Sequence, residues 1–424
     1  MSEESAAPAS STGGGRALSG VERVWLLADR LTPPFVNQLV LEGDGDVDVD
    51  GLEAAVQTLA SWPVCSARLG GRLRGTRWRA GGAPWRLRRV QGTGWDARSG
   101  AGAGFLRDPL PTPRGPLCEV LWVEGPVPRL VLRTAHAFAD GRGTLELAAA
   151  LFATARGESP PPILLTGPTD EDLASTCGRL PERPVPRDCA PARATRLGPA
   201  GRSTDPDGAA GASGDGGVGL LWARVTADVS PRDLLPRLAW ALGQRADPAL
   251  RCRVDVPVDL RRHAPAIRST ANLTGLIRLS VDSHRDRPNP VARLEQELQR
   301  RLARGEEADF VLALARLRGL PLSLLEREAR RRADDRAARG LYGTTANLSN
   351  VGRLDLAALS GAGFQARAGF FIPPGSPDLP LFLALTGGPR GVELCGTMPE
   401  ALGDQAALEA LLGELVDDLR GSTP

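Results

Sequence analysis

Apolar residues recur along the chain at spacings that predict helices and strands. One helix is predicted by four apolar residues at i, i+3, i+4 and i+7, namely Leu52, Ala55, Val56 and Leu59. Asp50 and Glu53 have the spacing of a capping box at its start, and the helix is expected to end before Pro63.

Strand patterns appear in both halves of the chain. The β-branched runs 117–123 and 130–133 predict a hairpin in the first half, and the run 253–260 predicts a strand in the second half. Asn289 followed by Pro290 predicts the start of a helix. Because strands and helices are mixed in two halves of similar size, the sequence predicts an α/β fold in which a two-layer sandwich occurs twice.

Composition divides the chain into four parts. Residues 1–16 are mostly Ala, Ser and Gly, which predicts a disordered tail. Residues 156–216 are rich in Pro, Gly and Asp and have little apolar material to bury, which predicts a linker. The two predicted subdomains are therefore 17–155 and 217–424.

Composition and charge exclude several functions. The chain has 424 residues, of which 42% are hydrophobic and 24% charged, as in a globular protein large enough for two cores. All 52 basic residues are arginine, so there is no P-loop lysine, no Schiff-base lysine for pyridoxal phosphate and no kinase-type phosphate lysine. The formal net charge of +2 indicates no strongly charged partner.

Nucleic acids, metals and membranes are not expected as partners. The stretch 72–89 interleaves arginines with Trp78 and Trp85, but the 50 acidic residues spread over the chain favour an exposed hairpin over a nucleic-acid surface. The three histidines and six cysteines lack metal-ligand spacing. No apolar run has the length of a membrane helix, and the amino terminus has no secretory pattern, so we expect a cytoplasmic monomer.

One stretch of the chain is arranged for chemistry. His136 follows the predicted strand 130–133 in the pattern HxxxDG, which continues with Asp140 and Gly141 and precedes an apolar helical run. A histidine with an ordinary pKa of about 6.5 is mostly neutral at neutral pH, so His136 is a candidate general base for an attacking hydroxyl or amine. Asp140 either orients the imidazole or holds the turn through an arginine. The alternative is a histidine that ends a strand beside a turn aspartate, without catalysis.

HxxxDG about a third of the way along a chain of this length, followed by an apolar helix, resembles the chloramphenicol acetyltransferase-like superfamily. This superfamily includes plant BAHD acyltransferases, condensation domains of peptide synthetases and polyketide-associated acyltransferases. Many members carry a doubled histidine, whereas Ala135 fills the first position here. Four other segments are similar to the family's first helix, first strand, the strand that opens the second half and the strand that crosses back to the active site: 18–25, 35–43, 253–261 and 347–353.

The resemblance implies a fold and a reaction. The fold is a pair of α/β sandwich subdomains in a V-shaped arrangement, with His136 in a tunnel between them. The reaction, in bacterial secondary metabolism, transfers an acyl group from a thioester, either acyl-coenzyme A or a carrier-protein pantetheine, to a hydroxyl or amine of a small molecule, with no bound cofactor. The alternatives are a condensation-type enzyme that acts on carrier-tethered intermediates and a non-catalytic binding module of the same fold.

The resemblance also suggests roles for individual residues. Three polar residues of the crossing strand would donate hydrogen bonds to the oxyanion formed during attack: Ser349, Asn350 and Asn347. Asp140 would be structural and paired with an arginine, for which Arg261 and Arg68 are the candidates.

Overall fold

The computed structural model describes residues 15–71, 76–177, 189, 191, 219–230 and 233–421. Its α-helices are α1 (Gly20–Leu31), α2 (Val49–Leu59), α3 (Gly141–Ala155), α4 (Asp170–Thr176), α5 (Leu234–Arg245), α6 (Pro290–Ala303), α7 (Ala308–Leu314), α8 (Leu322–Arg339) and α9 (Gln405–Gly421). Its strands are β1 (Arg16–Ala17), β2 (Val36–Asp44), β3 (Arg68–Gly70), β4 (Arg77–Arg79), β5 (Leu87–Gln91), β6 (Cys118–Glu124), β7 (Arg129–Ala135), β8 (Leu220–Ala227), β9 (Arg253–Asp259), β10 (Thr274–Ser280), β11 (Ala346–Arg353), β12 (Gln365–Ile372), β13 (Phe382–Gly388) and β14 (Gly391–Pro399).

The strands form two large mixed sheets and one small sheet. The first large sheet has the order β12-β2-β7-β6-β5, and the second has the order β10-β9-β11-β13-β14-β8. The small sheet has the order β1-β4-β3. Helices accompany both large sheets, so the mixed α/β fold predicted from the sequence is confirmed.

The five-stranded sheet packs against α2 and α3. Leu39 and Leu132 of its strands are fully buried in one cluster with Leu52 of α2 and Leu147 of α3. The predicted hairpin is present as the antiparallel pair β6 and β7. Each buried leucine stabilises the fold by about 1.5 to 3 kcal/mol relative to an exposed one, so this apolar layer holds β7, and with it the HxxxDG turn, in place.

The six-stranded sheet has its own core. Leu238 of α5, Leu298 of α6 and Leu415 of α9 are buried with Leu383 and Leu394 of the sheet. The two halves therefore each have the layered core that the sequence predicted.

One strand crosses from the second half of the chain into the first sheet. Residues 365–372 form β12, which pairs antiparallel with β2 and places Phe370 opposite Val40. The family resemblance predicted this crossing at 347–353, and that prediction is wrong, because those residues form β11 between β9 and β13. β12 suits the position because its last five residues are all buried, as expected for a strand covered on both faces. The predicted subdomain 217–424 thus contributes one strand to the other half.

Two helix starts differ from the sequence predictions. Asp48, not Asp50, is the N-cap of α2, and its carboxylate accepts a hydrogen bond from the Gly51 N–H at 2.9 Å. Asp48 is held there because its own N–H donates to the carbonyl of Ala362. At α6, Asn289 has a left-handed backbone and makes no capping bond with its side chain, although the helix begins at the next residue as predicted.

The predicted tail and linker both contain ordered elements. Only 15 and 16 of the predicted tail lie among the described residues, and Arg16 is paired in β1. Within the predicted linker, α4 packs against α7 and buries Leu173. Cys189 is also buried and exchanges backbone hydrogen bonds with Tyr342. Most of 178–216 lies outside the described residues.

The arginine-rich stretch does not form one exposed hairpin as predicted. β4 belongs to the small sheet and β5 to the five-stranded sheet, and Trp78 and Trp85 are only 0% and 2% exposed. Buried indoles cannot stack with nucleic-acid bases. Within the described part of the chain, no helix combines the length and the apolar composition needed to cross a bilayer.

Candidate active site

His136 lies in a tight turn between β7 and α3. Its N–H donates to the carbonyl of Phe35 at 3.1 Å, which ties the turn to the start of β2. The N–H groups of Phe138 and Ala139 both donate to the carbonyl of Ala135, at 2.8 and 3.0 Å. The backbone of the turn is therefore held by hydrogen bonds to the start of β2 and to the end of β7.

The imidazole of His136 is stacked against two aromatic rings. The Trp25 ring from α1 lies 5.1 Å away between centroids and nearly parallel, at 10°, and the Phe35 ring lies 5.4 Å away at 23°. Burial lowers the pKa of His136 below its usual range, although the Ala139 carbonyl and the Asp140 charge oppose this shift. His136 is therefore neutral at neutral pH, which is the state that a general base requires.

One ring nitrogen of His136 is occupied by the protein. Nδ1 lies 3.2 Å from the carbonyl oxygen of Ala139 and 3.1 Å from the amide nitrogen of Asn37. The Asn37 amide also donates to the same carbonyl at 2.7 Å. No such contact is found for Nε2 among the described residues, so Nε2 is the nitrogen available for proton transfer.

Asp140 binds groups other than the imidazole. One carboxylate oxygen accepts a hydrogen bond from the Gly143 N–H at 2.7 Å, which makes Asp140 the N-cap of α3. The other oxygen accepts from the Leu273 N–H at 2.9 Å and from the Thr274 hydroxyl at 3.3 Å. Of the two roles that the sequence left open, this geometry favours the structural one.

Arg261 is the arginine that pairs with Asp140. Its guanidinium donates to both carboxylate oxygens, at 3.0 and 3.2 Å, and a third bond reaches Asp259 at 2.9 Å. Burial by itself would lower the pKa of Arg261, but the charges of Asp140 and Asp259 outweigh it and raise that pKa. Arg68 lies in β3 opposite Arg79, away from this pair.

Segment 269–273 of the second half closes over the HxxxDG turn. The Asn272 amide donates to the His136 carbonyl at 2.6 Å, and the Asp140 N–H donates to the Thr270 carbonyl at 3.3 Å. A Cβ on Gly143 would lie 2.5 Å from that Thr270 oxygen, whereas a Cβ on Gly141 would meet nothing within 4 Å. The close approach of the two halves therefore requires glycine at 143 and leaves open space beside 141.

The three predicted oxyanion donors lie in β11 of the six-stranded sheet. Leu348 between them is buried in the core of the second half, so Asn347 and Ser349 lie on the opposite face. Asn350 is exposed beside a β-bulge, and its side-chain oxygen accepts a hydrogen bond from the Gly352 N–H at 3.0 Å. An exposed side chain beside a β-bulge is poorly placed to stabilise a buried oxyanion, so we do not retain Asn350 as a donor.

The described residues contain no group of three or more His, Cys, Asp or Glu side chains that could hold a metal ion. The site itself contains one neutral imidazole, two aromatic rings stacked against it and a buried ion pair that joins both halves.

Sequence reasoning missed five residues that build the site. They are the two ring partners, the amides on either side of the turn and the glycine of the close approach: Trp25, Phe35, Asn37, Asn272 and Gly143. The first three fall in or beside the segments 18–25 and 35–43 that carried the family resemblance. No local pattern could identify Asn272 or Gly143, because their roles depend on contact between the halves.

Comparison with known proteins identifies the fold. No family model and no curated protein sequence matches this chain. Among solved structures, the condensation domain from the monacolin K polyketide synthase MokA matches with a TM-score of 0.62 and 10% identity, covering 96% of each chain. The starter condensation domain of the rhizomide synthetase RzmA, in complex with C8-CoA and Leu-SNAC, matches with a TM-score of 0.61 and 15% identity, covering 96% of this chain and 94% of the other.

A third similar structure is the cyclization-docking bidomain of EpoB from Sorangium cellulosum, with a TM-score of 0.60 and 16% identity, covering 99% of this chain and 88% of the other. The chain therefore has the fold of condensation domains, which belong to the chloramphenicol acetyltransferase-like superfamily. The fold that the resemblance implied is therefore confirmed.

Proposed function

We propose that this protein is an acyltransferase in which His136 is the general base. One observation carries the proposal: a neutral imidazole lies at the contact between two α/β halves, with one ring nitrogen bound by the protein and the other available. A base in that state can take the proton from a hydroxyl or amine as it attacks a thioester carbonyl. The thiol leaves, and the acyl group is joined to the acceptor as an ester or amide.

Four residues around His136 would support this reaction without touching the reacting atoms. Asp140 and Arg261 hold the turn, and Trp25 and Phe35 exclude water from one side of the imidazole. Ser349 is retained in the proposal as a donor to the oxyanion, because it lies on the face of β11 that is turned away from the core of the second half.

Two classes of acyl donor fit the proposal. The first is an acyl-coenzyme A, and the RzmA starter domain was crystallised with one. The second is an acyl group on a carrier-protein pantetheine, which is favoured by the similarity to condensation domains of multidomain synthetases. A condensation-type reaction between carrier-tethered intermediates is therefore the second candidate function.

Thiol release from thioesters tests the proposal. The wild-type chain, His136→Ala and the matched control His263→Ala would be mixed with acyl-coenzyme A thioesters, acyl N-acetylcysteamine thioesters or acyl groups loaded on carrier proteins, with and without a pool of small alcohols and amines. Acceptor-dependent release by the wild type and His263→Ala, but not by His136→Ala, supports the acyltransferase. Release only from acyl groups loaded on carrier proteins supports the second candidate. Equal background rates for all three proteins with every donor contradict both enzymes and leave the binding module.

A further inference from the structure

We propose that a second cavity between the two halves, separate from the candidate active site, binds a small zwitterion such as a free amino acid. The cavity has a volume of about 710 Å³, which is within the range of small-molecule sites. Residues 42 and 96–99 of the first half line it together with residues 224–226, 390 and 409 of the second half. A ligand bound there would therefore contact both halves.

The cavity lies at the opposite end of β2 from His136. Val36, at the start of β2, pairs with Ala135, which directly precedes His136. Glu42, which lines the cavity, is six residues further along the strand, or about 20 Å at the rise of a β-strand. Binding in this cavity is therefore independent of acyl transfer, and the proposal does not rest on the proposed function.

Arg224 of β8 is a fixed cation in the wall of the cavity. Its side chain is 7% exposed, its Nε donates to Glu393 at 2.9 Å, and its Nη1 donates to Glu42 at 2.9 Å. The guanidinium also lies 4.0 Å from the centre of the Phe370 ring. A guanidinium has five N–H donors, and those on Nη2 have no partner among the described residues. These donors are held in place and remain available to a ligand.

Arg98 lies directly opposite Arg224. Ser99 pairs antiparallel with Ala223, and the Arg224 N–H donates to the Arg98 carbonyl at 2.7 Å. Side chains that face each other in this way are about 5 Å apart at Cβ, and like charges at that distance repel. The exposed Arg98 side chain has no carboxylate partner in the described part of the chain. A carboxylate between the two guanidinium groups would remove the repulsion and accept charge-assisted hydrogen bonds from both.

Two carboxylates of the cavity each have a free oxygen. Asp96 accepts the Arg98 N–H with Oδ1 at 2.9 Å, and Glu409 accepts from the Gln405 amide with Oε1 at 2.8 Å. Their other oxygens have no partner among the described residues. Glu42 differs, because both of its oxygens bind arginines. A plain anion would be repelled by the two partly free carboxylates, whereas an ammonium group on the same ligand would be attracted, so the cavity favours a zwitterion.

Isothermal titration calorimetry of the full chain with each common amino acid tests the proposal. For the best ligand, the N-acetyl derivative keeps the carboxylate and loses the ammonium charge, and the amide derivative keeps the ammonium and loses the carboxylate. Each should bind about tenfold or more weakly than the parent, because each lacks one charge-assisted contact. Inorganic phosphate is the probe for a plain anion site. The thermal unfolding midpoint should rise with the concentration of the amino acid.

Arg98→Ala and Asp96→Asn test the two ends of the ligand. Arg98→Ala breaks no side-chain contact of the free protein, so the fold should be as stable as the wild type while binding weakens by about tenfold or more. Arg300→Ala, at an exposed position of α6 outside the cavity, is the control and should bind as the wild type does. Asp96→Asn keeps an acceptor oxygen for the Arg98 N–H and loses only the charge. It should weaken binding of the amino acid but not of its N-acetyl derivative.

Three results would overturn the proposal. The first is no heat of binding and no thermal shift with any amino acid at millimolar concentration. The second is an N-acetyl derivative or phosphate that binds as tightly as the amino acid, which would indicate a plain anion site. The third is equal binding by Arg98→Ala and Arg300→Ala, which would place the ligand elsewhere. None of these results depends on acyl transfer, so the proposed function and this cavity can fail separately.

Discussion

Arg261 donates to both carboxylate oxygens of Asp140, and this buried pair joins the second half of the chain to the start of α3. Asp140 and Arg261 are 3% and 7% exposed, and Arg261 also binds the carbonyls of Ser269 and Ala271 at 2.8 and 3.1 Å. The HxxxDG aspartate therefore links the two halves of the chain. Its removal should lower the stability of the fold before it changes the rate of the reaction.

Asp140→Asn tests this link between the halves, because asparagine is as good an N-cap as aspartate, while the charge and one of the two acceptor oxygens facing Arg261 are lost. Leaving Arg261 buried with one partner fewer should destabilise the protein by about 3 kcal/mol or more. Urea unfolding followed by tryptophan fluorescence measures the loss. Asp259→Asn is the control. Asp259 binds the same guanidinium, but its side chain is 44% exposed, so this substitution should lower the stability by about 1 kcal/mol or less. Equal losses of stability in the two variants would contradict this link between the halves.

Gly143→Ala and Gly141→Ala form a second matched pair. The added methyl at 143 would clash with Thr270, at 2.5 Å from its oxygen and 2.7 Å from its Cα, so a loss of about 1 to 3 kcal/mol is expected. The methyl at 141 meets no atom within 4 Å, and alanine is the better helix former, so that variant should be as stable as the wild type or more so. The opposite order of stabilities in thermal unfolding would contradict the close approach.

Trp25 should control the pH range in which His136 is neutral. Burial lowers the pKa of His136, so activity as a base should persist below pH 6.5 in the wild type. Trp25→Ala admits water, which should raise that pKa and move the acidic limb of the kcat/KM profile to higher pH. Trp25→Phe keeps a ring against the imidazole and should shift the limb less. If the acidic limb of the kcat/KM profile does not move in Trp25→Ala, the Trp25 ring does not shield His136 from water.

Asp170 should make the stability of the protein depend on pH. It is 1% exposed, and burial raises its pKa to about 8, assisted by the carboxylates of Glu22 and Glu171 and opposed by Ser19 and Arg16. An unfolded aspartate releases its proton near pH 4. Between about pH 4 and pH 8 the folded protein therefore holds more protons, and the free energy of unfolding should fall as pH rises through this window.

Asp170→Asn should remove this dependence of the free energy of unfolding on pH. At pH 8 the variant should be more stable than the wild type by on the order of a few kcal/mol, because each unit of pKa difference corresponds to about 1.4 kcal/mol. Urea unfolding at several pH values measures it. Asp172→Asn, in the same helix but within a capping box, is the control and should keep the slope. The same slope in Asp170→Asn and the wild type would contradict a buried, protonated Asp170.

Ser349→Ala and Asn350→Ala separate two of the three predicted donors of β11. If Ser349 donates to the oxyanion, its loss should lower kcat by about 100-fold to 1,000-fold. Asn350 is exposed beside the β-bulge, so its loss should change the rate little. Single-turnover rates with the best thioester measure both variants, and a small effect at Ser349 would remove Ser349 from the mechanism.

Local patterns determined much of this protein. The helix at 52–59, the β6–β7 hairpin and the α3 run followed from apolar periodicity, because burial of one face selects the spacing of side chains. The HxxxDG motif identified His136 and Asp140, because a strand, a turn and a helix start are local features with local sequence signals. The order of segments around that motif was enough to predict the fold.

Tertiary structure decided everything that depends on contact between distant segments. The strand that crosses between the sheets is β12 and not β11, Arg261 and not Arg68 binds Asp140, and Gly143 and not Gly141 meets the opposite half. Either strand, either arginine and either glycine fits its own neighbours in sequence equally well. Packing of the two halves selects one of each. Only in the folded chain does the Asp140 charge meet an arginine, does an apolar strand become covered on both faces, and does one glycine lie too close to the other half to carry a methyl group.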